Sequence, residues 1–244
     1  TGKEMDWKHA PRQYGAIHFH DDDLYDAGWD VDFEFTVPAN QKSSVYAVRV
    51  YTETDEDFMP FCVRPPQRKA GAKVCFLMPT ASYMAYANEH MPTNATLAEM
   101  LTGQLAVLYP HDVFLNEHRE YGASNYDTHS DGSGVCYSSR LRPILNMRPK
   151  YASWLGGAGS SLWQFNADGH ITDWLEAMGY DFDVVTDEDL HNEGFARIAP
   201  YKAILTGSHP EYWSKPAWDA LDAWKRQGGR LMYMGANGWY WRVA

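Results

Sequence analysis

The spacing of hydrophobic positions in this sequence changes near residue 73. Before that point, apolar and polar residues alternate, which is the period of a strand with one buried face. Trp29, Val31, Phe33 and Phe35 alternate with acids in this way, and further strands are predicted at 15–20, 45–51 and 58–63. Residues 1–66 are therefore predicted to form a partial antiparallel β region, and 65–71 a linker.

After residue 73, short continuous apolar runs alternate with helical patterns. The runs at 74–78, 182–185, 203–206 and 230–234 have the composition of strands buried on both faces. Helical spacing over 171–178 ends at Gly179, Thr186–Asp189 resembles a capping box, and another helix is predicted from Ser214 to Gly228. Residues 73–244 are therefore predicted to form an α/β domain with a parallel sheet, truncated at its C-terminus.

A long segment between the first two of these strands lacks a clear period. Residues 80–150 are rich in Tyr, Asn, His, Gly and Pro, and one helix is predicted near Leu97–Leu108. Segments of this length inside a domain usually serve a function.

Composition excludes several classes of protein. The 244 residues contain 32 acidic and 21 basic side chains, a formal charge of −11, which would repel a nucleic-acid backbone. No apolar run approaches the length of a membrane span. The three cysteines lack CxxC spacing, which favours a reducing cytoplasm over a disulfide framework.

Two segments would lie at the carboxyl edge of the parallel sheet, where open α/β sheets place their sites. They are Gly207–Trp213 and Gly235–Trp241, and neighbouring strands would bring Tyr212 and Tyr240 to one rim. His209, Glu211 and Asn237 add polar groups there. Alternatively, the aromatic residues of both segments only close the core. Phenols ligate a metal when a strong Lewis acid displaces a proton whose pKa is about 10, and ferric iron suits such oxygen donors.

Other candidate sites carry weaker signals. His18 and His20 share one strand face, and Asp21–Asp23 follow them, so a divalent metal could bind there, although solvated surface is the simpler interpretation. Cys62 and Cys75 lie in apolar runs, which leaves Cys136 as the one loop thiol. Gly156–Ser161 is glycine-rich but lacks the lysine of a phosphate loop.

Several stretches resemble the large subunit of N,N-dimethylformamidase over nearly the whole chain. The most specific is Thr206-Gly-Ser-His-Pro-Glu-Tyr-Trp-Ser214, and the others are Tyr14–Leu24, Ala27–Trp29, Ser44–Arg49, Pro79-Thr80, Ala85–Asn88, Ser139–Pro143 and Gly235–Trp241. The resemblance implies a fragment of a longer subunit, in which residues 1–66 are part of an antiparallel β-sandwich region. It also implies that residues from about 73 open a domain similar to class I glutamine amidotransferases without their nucleophilic cysteine, and that the subunit assembles with a small subunit into an oligomer.

The resemblance also implies a chemistry. Family members hydrolyse dimethylformamide to formate and dimethylamine, using a mononuclear non-haem iron held by two tyrosines and one glutamate. By motif position, these tyrosines are Tyr212 and Tyr240, with Tyr180 and Tyr201 as alternatives. The glutamate is expected beyond Ala244, with Glu211 as the local substitute. His209 is expected to move protons and Asn237 to orient a small amide substrate.

Two other functions stay open at this stage. The chain could be a non-catalytic binding or assembly domain, in which the tyrosines only pack, or a thiol amidohydrolase that uses Cys136. The resemblance favours the iron-dependent hydrolase, and residues 1–244 alone are predicted to be inactive because too few ligands are present.

Overall fold

The computed structural model describes residues 4, 6, 8–13, 20–66, 69–93, 96, 99–100, 103–154 and 162–243. The first regular elements among them are two antiparallel strands, β1 (Ser44–Tyr51) and β2 (Glu56–Val63), paired from Ser44 opposite Val63 to Tyr51 opposite Glu56. These two strands confirm the predictions over 45–51 and 58–63. The strand predicted over 15–20 lies outside the described residues except for His20, and the β-sandwich region stays a prediction.

A four-stranded parallel sheet forms the centre of the α/β part. Its strands are β3 (Val74–Met78), β4 (Phe182–Thr186), β5 (Ala203–Thr206) and β7 (Arg230–Met232), in the spatial order β4-β3-β5-β7. A separate parallel pair consists of β6 (Tyr212–Ser214) and β8 (Trp241–Val243). The parallel sheet predicted from the continuous apolar runs is confirmed, and the resemblance to class I glutamine amidotransferases stays a prediction.

Six helices are described around these strands. They are α1 (Thr80–Ala85), α2 (Pro110–Glu117), α3 (Phe165–Ala177), α4 (Asp187–Glu193), α5 (Phe195–Ile198) and α6 (Lys215–Arg226), with single 3₁₀ turns at Pro11–Gln13, Met91–Thr93 and Arg119–Tyr121. The capping box at Thr186 is confirmed, because its hydroxyl accepts from the Asp189 amide while the Asp189 carboxylate accepts from the Thr186 amide. Ser214 caps α6 in a similar way, accepting from the Ala217 amide.

The core lies on both faces of the parallel sheet. Cys75 and Leu77 of β3 pack with α4, α5 and α6, whereas Phe76 and Met78 pack with residues of α1 and α3. All four side chains are at most 2% exposed. Since successive strand residues point to opposite faces, this burial explains why the sequence shows a continuous apolar run here.

The antiparallel pair is attached to the edge strand β4 through Ser43. The Ser43 hydroxyl donates to the Val63 carbonyl and accepts from the Val184 amide, both at 2.8 Å. Because both partners are backbone groups, this contact fixes the position of β1 and β2 against the sheet.

The strand predicted over 29–37 is wrong. The segment has no regular secondary structure and no strand partner among the described residues, and Trp29, Val31, Phe33 and Phe35 are each more than half exposed. Alternation reports which side chains could share a face, whereas a strand also requires a partner for its backbone groups.

The excursion between β3 and β4 is largely irregular, as predicted. The helix predicted near 97–108 falls partly outside the described residues, and 103–109 are not helical. Helix α2 begins only at Pro110, where the chain offers a helix-starting proline. Among the described residues, no helix combines the length and apolar character that crossing a bilayer requires.

Candidate metal and active site

The strand order reverses between β3 and β5, and a reversal of this kind forms a crevice in open α/β sheets. From β3 the chain proceeds to β4 on one side and then to β5 on the other side of β3. Open α/β sheets place ligands at such a reversal, outside the carboxyl ends of the strands. Tyr86 follows β3 through α1, and Glu211 follows β5 through a short loop, so both reach this crevice.

Three phenols and one carboxylate converge there, and we call Tyr86, Tyr126, Tyr212 and Glu211 the tyrosine–glutamate cluster. The Tyr86 hydroxyl donates to Glu211 Oε2 at 3.0 Å, and its ring stacks on Tyr126 with centroids 4.0 Å apart. The Tyr212 hydroxyl donates to the Tyr126 hydroxyl at 2.8 Å. Asn237 completes the surroundings by donating to Glu211 Oε1 at 3.3 Å.

Tyr86 is held in place by two buried asparagines. Asn146 donates to the Tyr86 carbonyl at 2.7 Å and accepts from the Asn88 amide at 3.0 Å. Asn88, fully buried with a φ of 58°, donates to the carbonyls of Pro143 and Tyr121. Asparagine tolerates this left-handed conformation better than most residues, so it turns the chain sharply behind Tyr86.

Tyr126 is held by the loop around Asp127. The Asp127 carboxylate accepts from the amides of His90 at 3.0 Å and Ser124 at 2.8 Å, and it pairs with the His90 ring at 2.9 Å. The Asn125 amide donates to the Ala85 carbonyl at 2.9 Å, directly beside Tyr86. These bonds fasten the irregular excursion to α1, so the two phenols meet although they come from different segments.

Glu211 is positioned by the close approach of two glycine loops. A Cβ at Gly235 would lie 2.0 Å from the Ser208 carbonyl oxygen, so only glycine lets the loops after β5 and β7 touch. The Glu211 amide donates to the Ser82 hydroxyl at 3.0 Å, and its carbonyl accepts from the amides of Tyr240 and Trp241. The carboxylate is consequently aimed into the crevice, where Glu211 is 2% exposed.

Burial dominates the electrostatics of the cluster. It raises the pKa of Glu211, against the opposing effect of hydrogen bonds from Tyr86, Asn237 and Tyr126. Burial is also the largest cause of the raised pKa of Tyr86, Tyr126 and Tyr212. No Lys or Arg is among the described contacts of the Glu211 carboxylate. The cluster is therefore a set of buried and partly buried oxygen donors without a basic side chain among its described contacts.

This donor set fits a hard metal ion. Phenolate and carboxylate oxygens are ligands that such ions prefer, and a bound cation reverses the penalty on the charged forms of both groups. The aromatic walls, including Trp163 at 5.6 Å from Tyr86 between ring centroids, keep water away from the donors.

Comparison with known proteins identifies the family of this chain. The family model described as N,N-dimethylformamidase beta subunit-like, C-terminal, matches residues 1–244. The chain belongs to this family. It is 45% identical over 247 residues to the N,N-dimethylformamidase beta subunit of Paracoccus aminophilus and 45% identical over 246 residues to that of Alcaligenes sp.. The matches cover 100% and 99% of this chain but 32% and 31% of the relatives, so the chain spans about a third of their length.

The resemblance to the dimethylformamidase family stated from motifs is thus confirmed, and the structure distributes the predicted site residues unevenly. Tyr212, Glu211 and Asn237 lie together in the cluster. Tyr240 contributes its backbone amide to Glu211, but its side chain is 66% exposed and has no described contact with the cluster's phenols. The pairing of Tyr212 with Trp241 in the β6–β8 register brings the two predicted tyrosines near each other without converging their hydroxyls.

His209 lies beside the cluster rather than in it. Its ring is 4.3 Å from that of Trp163, which also contacts Tyr86, and burial lowers its pKa. Its Nδ1 is buried and has no hydrogen-bond partner among the described residues. The imidazole thus offers an unused polar atom next to the cluster.

The remaining candidates in this family member lie elsewhere. Tyr201 donates to Asp183 in the core, and Tyr180 packs on Trp174. Cys62 and Cys75 are partly or fully buried, burial raises the pKa of the Cys62 thiol to about 12, and Cys136 is exposed. The candidates His18 and Gly156–Ser161 fall outside the described residues.

Sequence reasoning missed Tyr86 and Tyr126. Tyr86 carried a usable signal, because it follows the carboxyl end of the first parallel strand. Open α/β sheets place their sites at the carboxyl ends of strands, and the same rule led to Tyr212. Tyr126 carried none, since it lies in an irregular segment that is joined to α1 and the residues after it by long-range hydrogen bonds, from the His90 amide to Asp127 and from the Asn125 amide to the Ala85 carbonyl.

Proposed function

We propose that this chain supplies the iron site of an amide hydrolase that cleaves a small N-substituted formamide into formate and an amine. The observation that carries the proposal is the convergence of Tyr86, Tyr126 and Glu211 at the carboxyl edge of the parallel sheet. Two tyrosines and one glutamate are the ligand set that membership of the dimethylformamidase family implies.

Tyr86 and Tyr126 are assigned as the tyrosine ligands because both phenols interact with the Glu211 carboxylate. Tyr212 instead donates to the Tyr126 oxygen, which stabilises negative charge on that phenol. When bound, the iron would act as a Lewis acid that polarises an amide carbonyl or acidifies water. The glutamate sought beyond Ala244 is thereby replaced by Glu211.

The chain's own residues have separate tasks in this scheme. The unpartnered Nδ1 of His209 accepts a proton from the attacking water and returns it to the departing amine nitrogen. Asn237 holds Glu211 Oε1 and so orients the carboxylate, a role different from the substrate contact predicted from sequence. The ring of Trp163, between His209 and Tyr86, excludes bulk water.

Membership of the family also suggests that the chain has partner subunits. The relatives are named as beta subunits, so we infer association with a second, smaller subunit in a cytoplasmic oligomer. The expectation that 1–244 is inactive in isolation is retained for this reason, since the substrate pocket would lack walls supplied by the rest of the assembly.

Iron analysis of the intact protein tests the ligand assignment. In Tyr86→Phe, Tyr126→Phe and Glu211→Gln, iron content, the visible phenolate-to-iron band and formamide hydrolysis should all fall by more than roughly 100-fold. Even an outer hydrogen-bond partner of a metal ligand is worth about 10- to 100-fold. Tyr240→Phe is the matched control and should keep both iron and rate, and Tyr212→Phe should keep iron.

The opposite pattern would contradict the assignment. Full iron in Tyr86→Phe together with loss in Tyr240→Phe would restore the ligand pair predicted from the motifs. Inactivation by iodoacetamide would instead favour the exposed Cys136 as a nucleophile. If an iron-loaded intact protein hydrolysed no formamide, the proposed reaction would be refuted, but the assignment of the iron ligands would not be.

A further inference from the structure

A second group of metal-type ligands shares no residue with the tyrosine–glutamate cluster. His20, Asp23 and His129 each offer one ligand atom, and these atoms lie within 4.8 Å of one another. His20 and Asp23 come from the N-terminal segment, whereas His129 comes from the loop after Tyr126. The sequence pattern identified the first two, and only the fold adds the buried His129.

His129 is already oriented as a metal-binding histidine would be. Its Nδ1 lies 2.6 Å from Asp22 Oδ1, and its side chain is 2% exposed. A carboxylate on one ring nitrogen fixes the tautomer and leaves the other nitrogen as the donor to a metal. That other nitrogen, Nε2, faces Asp23 Oδ1 at 3.8 Å, which is beyond hydrogen-bond distance.

This separation suits two ligands of one ion. Zinc binds imidazole nitrogen and carboxylate oxygen at about 2.0–2.2 Å, so neighbouring ligands of a tetrahedral ion lie roughly 3.4 Å apart. A small approach of Asp23, whose side chain is 35% exposed, would close the gap. His20 stacks on His129 with centroids 3.6 Å apart and planes 5° apart, and it would turn out of the stack to bind.

The local charge also favours a cation. Asp22, Asp23 and Asp131 all approach the two imidazoles, with Asp131 Oδ2 at 3.5 Å from His20 Nε2. The Ser133 hydroxyl contacts the same His20 nitrogen at 3.0 Å. No Lys or Arg appears in the described ion pairs of Asp22 and Asp23. A divalent ion would balance this surplus of negative charge.

We propose that His20, Asp23 and His129 form a structural binding site for a divalent transition metal such as Zn²⁺, distinct from the tyrosine–glutamate cluster. The ion would join the segment 20–23 to the loop 128–134, which is closed by the bridge between Thr128 and Gly134. Since this loop directly follows Tyr126, the ion would help to hold it in place.

Zinc binding to the intact protein tests the proposal. After chelation and dialysis against micromolar Zn²⁺, metal analysis and titration calorimetry should find one equivalent that is lost, or weakened at least tenfold, in His129→Ala and in Asp23→Asn. His118→Ala removes a partly exposed histidine at the C-terminal end of helix α2, outside the proposed site. This variant should bind the same one equivalent of zinc as wild type. The Asp23 side chain is partly exposed, so Asp23→Asn should not unfold the protein. A loss of zinc binding in this variant would therefore report the loss of a ligand and not misfolding.

Glu211→Gln distinguishes the two sites. This variant should keep the zinc equivalent, because Glu211 belongs to the other cluster. The proposal is overturned if wild type binds no zinc, if Asp23→Asn and His129→Ala bind it as wild type does, or if Glu211→Gln alone abolishes it. Loss of iron in Glu211→Gln tests the proposed function, and it does not affect the conclusion about zinc binding by His20, Asp23 and His129.

Discussion

The rings of Tyr86 and Tyr126 stack with centroids 4.0 Å apart and planes within 19° of each other. One ring follows a regular strand and helix, and the other comes from an irregular loop. Stacking contributes only about 1 kcal/mol, so it cannot order such a loop alone. Buried polar side chains behind the rings do this, above all Asn88 and Arg142, whose side chains bind backbone carbonyls of the excursion.

Replacing Asn88 tests this dependence. Asn88→Ala removes bonds to the carbonyls of Pro143 and Tyr121 and from the Leu145 amide, all of which are partly buried. The free energy of unfolding should fall by about 2–4 kcal/mol, as measured by urea denaturation. Asn88→Gly should lose less, because glycine accepts the φ of 58° without strain. Equal stability of Asn88→Ala and wild type would show that the network does not order the loop.

A pair of glycine substitutions tests the contact between the loops after β5 and β7. In Gly235→Ala the new Cβ would lie 2.0 Å from a backbone oxygen of Ser208, so the loops must separate. We expect a loss of more than about 2 kcal/mol, together with weaker iron binding at Glu211.

Gly169→Ala is the matched control within helix α3. Nothing lies within 4 Å of its added Cβ, so this variant should gain about 0.5–1 kcal/mol from the reduced freedom of the unfolded chain. Thermal unfolding should show a lower stability than wild type for Gly235→Ala and a higher stability for Gly169→Ala. A Gly235→Ala protein as stable as Gly169→Ala would show that the loops do not need their close approach.

The stability of the protein should depend on pH through Asp187. Burial raises the pKa of this carboxyl from 3.8 to about 6, despite hydrogen bonds from Thr80 and Ala81. The folded state then binds the proton more tightly than the unfolded state does. This contribution is fully present below pH 3.8 and is lost as the pH rises through about 6, by on the order of 3 kcal/mol.

Asp187→Asn should remove that part of the pH dependence, as seen in urea unfolding at several pH values between 3.5 and 7. The variant loses one acceptor, so its stability is lower at neutral pH, but its slope between pH 4 and 6 is flatter. Asp173→Asn, on the exposed face of α3, should keep the wild-type slope. An unchanged slope in Asp187→Asn would exclude this carboxyl as the source.

Local sequence signals predicted the regular elements and one half of the site. The apolar run of β3 and the capping box at Thr186 act within a few residues, so a linear pattern contains them. The carboxyl-edge rule led to Glu211 and Tyr212 for the same reason. It also led to Tyr240, whose backbone amide reaches Glu211 although its side chain is 66% exposed, and a metal-binding role for that phenol stays a prediction.

The sequence by itself therefore determined the parallel sheet, the two antiparallel strands and the family. These follow from hydrophobic period, caps and motif residues, all of which are properties of neighbouring positions. The tertiary structure decided that Tyr126 joins Tyr86 and Glu211, that His129 joins His20 and Asp23, and that the segment 29–37 has no strand partner among the described residues. The physical reason is that loops acquire their positions from long-range hydrogen bonds to buried backbone groups, which no local pattern encodes.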